Sequence, residues 1–289
     1  MKNKIRLCLF LCTVICVSSN AQVISDSFLI DGIYRTFHFT KPQQLTHDGS
    51  LIFILHGSGG TGLNDMKNTV ALSTLATTEN FIAFYPDAYK KNWNECRKQT
   101  PAEANVIDID ENTFFKKMID YAVKHYNINR KKVFVIGTSG GGHMAFKLAY
   151  TMPKKITAIT AIVANIPDST NMDCIEKRKP VPVMIINGTK DGINPYNGGQ
   201  VLDKGLVQST DASFKYWATL AGYTGLPEKT AIPDNDPNDG KTIERYTYFQ
   251  KGKPEIVLLK VLNGEHNYPN DINVFIESWQ FFKRQLLNN

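Results

Sequence analysis

The segment Gly137-Thr138-Ser139-Gly140-Gly141 sets a serine between glycines in the spacing G-x-S-x-G. It stands directly after the apolar run Val133-Phe134-Val135-Ile136 and before a helix-like stretch that opens near His143. In that setting the serine sits on a sharp strand-to-helix turn with its hydroxyl exposed, and the glycines let the chain fold beneath it. A serine hydroxyl is a weak nucleophile near neutral pH. It needs an imidazole to take its proton, and a carboxylate to hold that imidazole in one tautomer and stabilise the imidazolium.

A strand–serine–helix turn requires the chain order Ser, Asp/Glu, His. Of the six histidines, His38, His47, His56 and His125 precede Ser139, and His143 follows it too closely to leave room for an acid. His266 remains, in a loop just past the last apolar run, and on its own it could equally be an ordinary surface histidine. For the acid, Asp191 follows the run Val183 to Ile186 and an Asn187-Gly188 turn. Asp168, Asp173, Asp203 and Asp211 lack that placement, and Glu265 adjoins the histidine it would have to orient. Asp191 could also be a plain turn aspartate.

A tetrahedral intermediate needs backbone N–H donors at its oxyanion, one from the residue after the nucleophile and one from a loop after an early strand. Gly140 is the first. His56-Gly57-Ser58-Gly59-Gly60, after the run Leu51 to Leu55, supplies the second, assigned to Ser58. The competing reading of this loop as a phosphate cradle lacks the Lys-Ser/Thr ending. Trp93, among Lys90, Lys91, Asn92 and Asn94, offers a flat face for a sugar or aromatic acyl group; alternatively it fills a gap beneath the long loop to Ile109.

These groups must be carried by a scaffold. Continuous apolar runs at Leu51 to Leu55, Phe81 to Tyr85, Val133 to Ile136, Ile156 to Val163, Val183 to Ile186 and Ile256 to Val261 predict strands buried on both faces. Helical periodicity at Thr69 to Asn80, Thr113 to Tyr126, His143 to Met152, Phe214 to Ala221 and Ile272 to Leu287 alternates with them, which predicts an α/β fold with a parallel sheet covered on both faces. Ser27 to Ile30 and Tyr34 to Phe39, around Asp31-Gly32, predict an antiparallel N-terminal hairpin. The breaker-rich segment Pro233 to Gly240 reads as a surface turn; it resembles a calcium loop only loosely, with the glycine one place late and no closing glutamate.

At the N-terminus, Lys2, Lys4 and Arg6 precede an apolar run, Leu7 to Val17, and the small residues Ser19 and Ala21. This predicts a secretory signal over residues 1–21, cleaved before Gln22, too short to span a bilayer, with a single domain over 22–289 and no membrane span in the mature chain. Its loss lowers the formal charge from +6 to +3, with no basic stripe to suggest nucleic acid. Three of the five cysteines leave with the signal. The remaining pair, Cys96 and Cys174, suits a disulfide in an oxidising compartment and, without a histidine at ligand spacing, makes a poor zinc site.

The segments His56 to Gly60, Tyr85-Pro86-Asp87, Trp93-Asn94, Gly137 to Gly141, Asn187 to Asp191, Pro195 to Gly199 and Gly264 to Pro269 occur in an order that resembles the polyhydroxybutyrate depolymerase-like esterases, kin of the feruloyl and acetyl xylan esterases of carbohydrate esterase family 1. The resemblance covers nearly all of residues 27 to 286. It implies an α/β-hydrolase fold, no cofactor or metal, triad roles for Ser139, Asp191 and His266, oxyanion donors at Ser58 and Gly140, and a substrate cleft lined by Trp93 and Tyr196. Tyr268 stands where members often carry tryptophan, so that wall of the cleft differs in shape. The implied activity is hydrolysis of a small or oligosaccharide-linked carboxylic ester, with feruloyl or acetyl groups on plant polysaccharide as the expected substrate. A hydroxybutyrate polyester is the alternative, and an inactive secreted binding module the alternative from another class.

Overall fold

A computed structural model describes residues 22–42, 45–76 and 78–287. The expected signal segment lies outside them. Among the described residues no helix is long and apolar enough to cross a membrane.

The chain opens with the expected hairpin, β1 (Val23–Ile30) and β2 (Ile33–Thr40), turning at Asp31-Gly32 with both residues at positive φ. Strand β3 (Gly49–Leu55), helices α1 (Gly62–Asn68) and α2 (Val70–Leu75), and β4 (Phe81–Pro86) follow. After a long loop containing α3 (Glu103–Val106) come α4 (Glu111–Tyr126), β5 (Ile128–Thr138), α5 (Gly140–Thr151) and β6 (Ala158–Ile162). Next are β7 (Val183–Gly188), the short pair β8 (Gly199–Gln200) and β9 (Leu206–Val207), and α6 (Thr210–Leu220). The chain closes with β10 (Glu228–Ala231), β11 (Thr242–Tyr248), β12 (Ile256–Leu262) and α7 (Val274–Leu287).

Ten strands form one sheet in the order β1-β2-β4-β3-β5-β6-β7-β12-β11-β10. The six from β4 to β12 run parallel, and antiparallel pairs flank them on both sides. Because side chains alternate across a strand, Leu51, Phe53 and Leu55 enter the core under α4, α5 and α6, while Ile52 and Ile54 enter the opposite one under α1, α2 and α7. Both sets are essentially inaccessible to solvent. Phe53 meets Phe115 of α4 edge-on at 5.0 Å, and Phe134 stacks on Phe282 of α7 at 4.6 Å. Burial of each such side chain stabilises the fold by about 1.5–3 kcal/mol.

The fold departs from expectation at three places. The helix expected over Thr69 to Asn80 is only α2, and α1 precedes it; Thr69 sits between them, its hydroxyl bonded to the Asp65 carbonyl and to the Tyr85 hydroxyl. Strands β10 and β11 have no counterpart among the apolar runs, because an exposed edge carries Thr, Glu, Arg and Tyr instead. Basic residues scattered in sequence also gather. Arg130, Lys131, Lys132, Lys154, Lys155, Lys179 and Lys253 line one depression of about 610 Å³ where β5 to β7 begin, although Arg130 pairs with Asp120 and Lys132 with Asp48. The Pro233 to Gly240 segment is held by protein groups: Asp271 accepts the amides of Asn235 and Asp236, and the Asn270 amide donates to Asp236 and Asp239.

Candidate active site

The crossover after β3 runs to β4 on one side, and the crossover after β5 runs to β6 on the other. The crevice at the carboxyl ends of β3 and β5 is therefore the switch point where an open α/β sheet accepts ligands. Leu55 and Gly137 are register partners across it. The loops that follow carry Ser58 and Ser139.

Ser139 adopts φ 54° and ψ −116° between β5 and α5, a conformation that costs an L-residue about 1–3 kcal/mol. Its amide donates to the Ile162 carbonyl of β6 at 2.8 Å and its carbonyl accepts the His143 amide at 3.0 Å, which holds the turn. The glycines are required by proximity. A Cβ on Gly137 would fall 2.0 Å from the Gly141 carbonyl oxygen, and one on Gly141 would fall 2.0 Å from that of Leu55.

Asp191 and His266 come from the loops after β7 and β12, neighbouring parallel strands in which Gly188 pairs with Val261. The two loops lock together: the Thr189 amide donates to the Val261 carbonyl, the Lys190 amide to the Gly264 carbonyl at 2.7 Å, and the Asn263 amide to the Thr189 hydroxyl. A Cβ on Gly188 would lie 2.3 Å from the Gly264 oxygen. His266 Nδ1 thereby donates to Asp191 Oδ2 at 2.7 Å, and Nε2 stands 3.0 Å from Ser139 Oγ. Asp191 Oδ1 accepts the amides of Ile193 and Asn194, both at 2.8 Å, so its second oxygen is fixed toward the imidazole. The Asp191 carboxylate is buried and the His266 ring partly open.

The two expected oxyanion donors also meet. Ser58 N lies 2.9 Å from the point where a Gly140 Cβ would be, and Gly140 opens α5, where the first amides have no intrahelical acceptor. His56, excluded as a base by chain order, holds this loop instead. Its Nδ1 donates to the Gly57 carbonyl at 2.7 Å and its Nε2 accepts the Ala88 amide at 3.1 Å, a pattern that needs the neutral ring. Burial lowers its pKa and favours that form. The signal for this role was in the sequence: a histidine immediately ahead of a glycine-rich turn.

His143 is also buried, and its pKa falls well below the usual value through desolvation, with the positive groups of Arg97, Lys204 and His266 adding to the effect. Lys204 itself reaches Ser58 Oγ at 3.0 Å across 146 residues of sequence, a proximity with no sequence signal.

The aromatic residues expected to line the cleft require correction. Trp93 is 2% exposed; its Nε1 donates to the His56 carbonyl at 2.9 Å, and its ring packs on His56 and Phe115. Tyr196 is 5% exposed, donates its hydroxyl to Asp211 at 2.7 Å and lies under the Lys260 ammonium. Neither has a free face for substrate, because packing and the local hydrogen bonds use the surfaces that stacking requires. Tyr268 differs: it is 41% exposed, and its hydroxyl bonds Thr138 Oγ1 at 2.8 Å beside Ser139. Cys96 and Cys174 are bridged, with Cα atoms 5.1 Å apart. Among the described residues no cluster of three or more His, Cys, Asp or Glu side chains could hold a metal ion.

A mostly parallel sheet with a strained serine at the end of an inner strand, facing a histidine and aspartate from later loops, defines the α/β-hydrolase class. Residues 38–220 match the phospholipase/carboxylesterase family, and the chain belongs to it. The chain is 24% identical over 266 residues to a bifunctional acetylxylan esterase/xylanase of Neocallimastix patriciarum, covering 89% of this chain but 35% of that protein. It superposes on an acetyl xylan esterase from Aspergillus awamori with a TM-score of 0.62 at 17% identity, over 91% of this chain and 99% of the other. A ferulic acid esterase of carbohydrate esterase family 1 from Anaeromyces mucronatus superposes with a TM-score of 0.55 at 13% identity, over 92% and 90%. These superpositions show the fold.

Proposed function

We propose that the chain is a secreted serine esterase that cleaves carboxylic esters through an acyl-serine intermediate, acting on acetyl or feruloyl esters of plant polysaccharide or oligosaccharide. The observation that carries the reading is the unbroken hydrogen-bonded series Asp191–His266–Ser139, with Ser58 packed against Gly140 beside it.

Neutral His266 takes the Ser139 proton as Oγ attacks the ester carbonyl, and Asp191 stabilises the imidazolium that forms. The oxyanion accepts hydrogen bonds from the Ser58 and Gly140 amides, held in place before the reaction. His266 then returns its proton to the departing alcohol, and water repeats the sequence to release the acid. The sequence similarity to acetylxylan and feruloyl esterases supports the acyl groups, and the Cys96–Cys174 bridge supports export to an oxidising compartment.

A panel of short nitrophenyl esters, methyl ferulate, acetylated xylan and hydroxybutyrate oligomers, run beside fluorophosphonate labelling of Ser139, tests this. Labelling with turnover of the acetyl or feruloyl members is expected. Turnover confined to hydroxybutyrate oligomers would establish the polyester reading instead, and a folded chain that neither labels nor hydrolyses any ester would be a binding module.

A further inference from the structure

Lys204 is fixed from both sides in the turn between β8 and β9. Its amide donates to the Val201 carbonyl, and its own carbonyl accepts the Asn171 side-chain amide, which also bonds the Leu206 carbonyl. The next residue, Gly205, has φ +79° and packs on Asn171 so closely that a Cβ would fall 2.6 Å from its nitrogen. From this support the side chain runs to Ser58 Oγ at 3.0 Å. That oxygen lies 2.6 Å from where a Gly140 Cβ would be, so the ammonium stands at the wall of the oxyanion hole.

Lys204 has no carboxylate partner among the described residues. Glu95, the nearby buried acid, is engaged by Arg97, whose Nε and backbone amide both donate to it. Glu95 and, more weakly, Asp203 attract the ammonium only at a distance, and Arg97 repels it. A partly desolvated cation bonded to one neutral hydroxyl is incompletely compensated, and burial accordingly lowers its pKa. Nothing in acyl transfer to Ser139 requires a charge at this point, since the two amides suffice for the oxyanion. What the position lacks is an anion, and a carboxylate on a bound ester would complete it with a charge-assisted hydrogen bond.

We propose that Lys204 makes this site selective for esters that bear a carboxylate close to the scissile bond. The carboxylate belongs either to the acyl group, as in the hemiester of a dicarboxylic acid, or to the alcohol, as in an ester of an acidic sugar. The proposal rests on Ser139 acting as an ester nucleophile.

Two matched pairs test it: 4-nitrophenyl hemiglutarate against 4-nitrophenyl valerate for the acyl side, and 4-acetoxybenzoate against 4-methylphenyl acetate for the alcohol side. The readout is the ratio of kcat/KM for the charged member over the neutral one. In one pair the wild type should favour the charged ester, and that ratio should fall by about tenfold or more in Lys204→Met, survive in Lys204→Arg, and invert in Lys204→Glu. The pair that responds identifies which side carries the acid. Hydrolysis of the neutral esters with no charge preference in either pair, or a ratio unchanged by Lys204→Met in a variant of native thermal midpoint, overturns the role of Lys204 alone. Absence of both fluorophosphonate labelling and turnover of all four esters overturns the esterase reading as well.

Discussion

The loops that follow the neighbouring strands β3 and β4 leave the same end of the sheet but serve opposite purposes. The first, His56 to Gly60, is short and glycine-rich, and it lies against Ser139 and Gly140 at the crevice. The second, from Asp87 to Asp110, is long and rich in polar and aromatic residues, and it buries Asn94, Glu95 and Arg97. Arg35 pairs with Glu111 in full burial at 2.9 Å; Glu111 also accepts the Asn94 amide, Arg97 pairs with Glu95, and Cys96 is bridged to Cys174. The second loop supports the first. Its Ala88 amide and Trp93 indole bond His56, and its Lys91 carbonyl accepts the Gly59 amide at 2.8 Å. A site that must be strained and open at Ser139 thus rests on a neighbour whose buried charges are paired.

That division can be broken from either side. Ser139→Ala should lower ester turnover by a factor of about 10⁶ while the thermal midpoint changes little, since the hydroxyl contributes no core packing. Retention of more than a few per cent of wild-type turnover in contamination-free protein would remove Ser139 from the chemistry. Trp93→Ala should show the reverse pattern. Loss of a buried indole and of its bond to His56 should destabilise the fold by about 3–5 kcal/mol and lower the thermal midpoint by roughly 10 °C. A raised KM with an unchanged midpoint would return Trp93 to the substrate cleft.

The bridge tests the support more gently. Replacing Cys96 and Cys174 together by alanine should cost about 2–4 kcal/mol in a denaturant titration, because the crosslink restrains the unfolded chain across 78 residues. An unchanged denaturation midpoint, or two free thiols in wild-type protein made in an oxidising compartment, would show that the bridge does not stabilise this loop.

The smallest effect belongs to Asp65 on α1, whose carboxyl burial pushes from 3.8 up to about 6. The folded chain holds that proton more tightly than the unfolded one. The associated stability is therefore fully present below about pH 4 and is lost as pH rises to about 6. Asp65→Asn should match the wild-type thermal midpoint near pH 4 and exceed it modestly above pH 6. A constant difference across that range would show that Asp65 titrates alike in both states.

Sequence alone determined the repeating scaffold and the order of the chemical groups. Continuous apolar runs mark strands buried on both faces, whatever their neighbours, so β3 to β7 and β12 were legible. The glycines around Ser139 were legible because the backbone there leaves no space for a Cβ; chain order then singled out His266, and placement after a strand singled out Asp191, which the fold brings within hydrogen-bonding distance of one another. Tertiary structure decided what residue type leaves open. Trp93, Tyr196 and Tyr268 have similar amphipathic character, yet the first two are enclosed and the third is exposed, because a ring's role depends on whether its face and polar edge are already occupied by distant groups. Lys204 and Ser58 are 146 residues apart, and His56 and Trp93 are 37. Their contacts arise from how loops from separate strands converge at one end of the sheet, and local periodicity carries no information about that convergence.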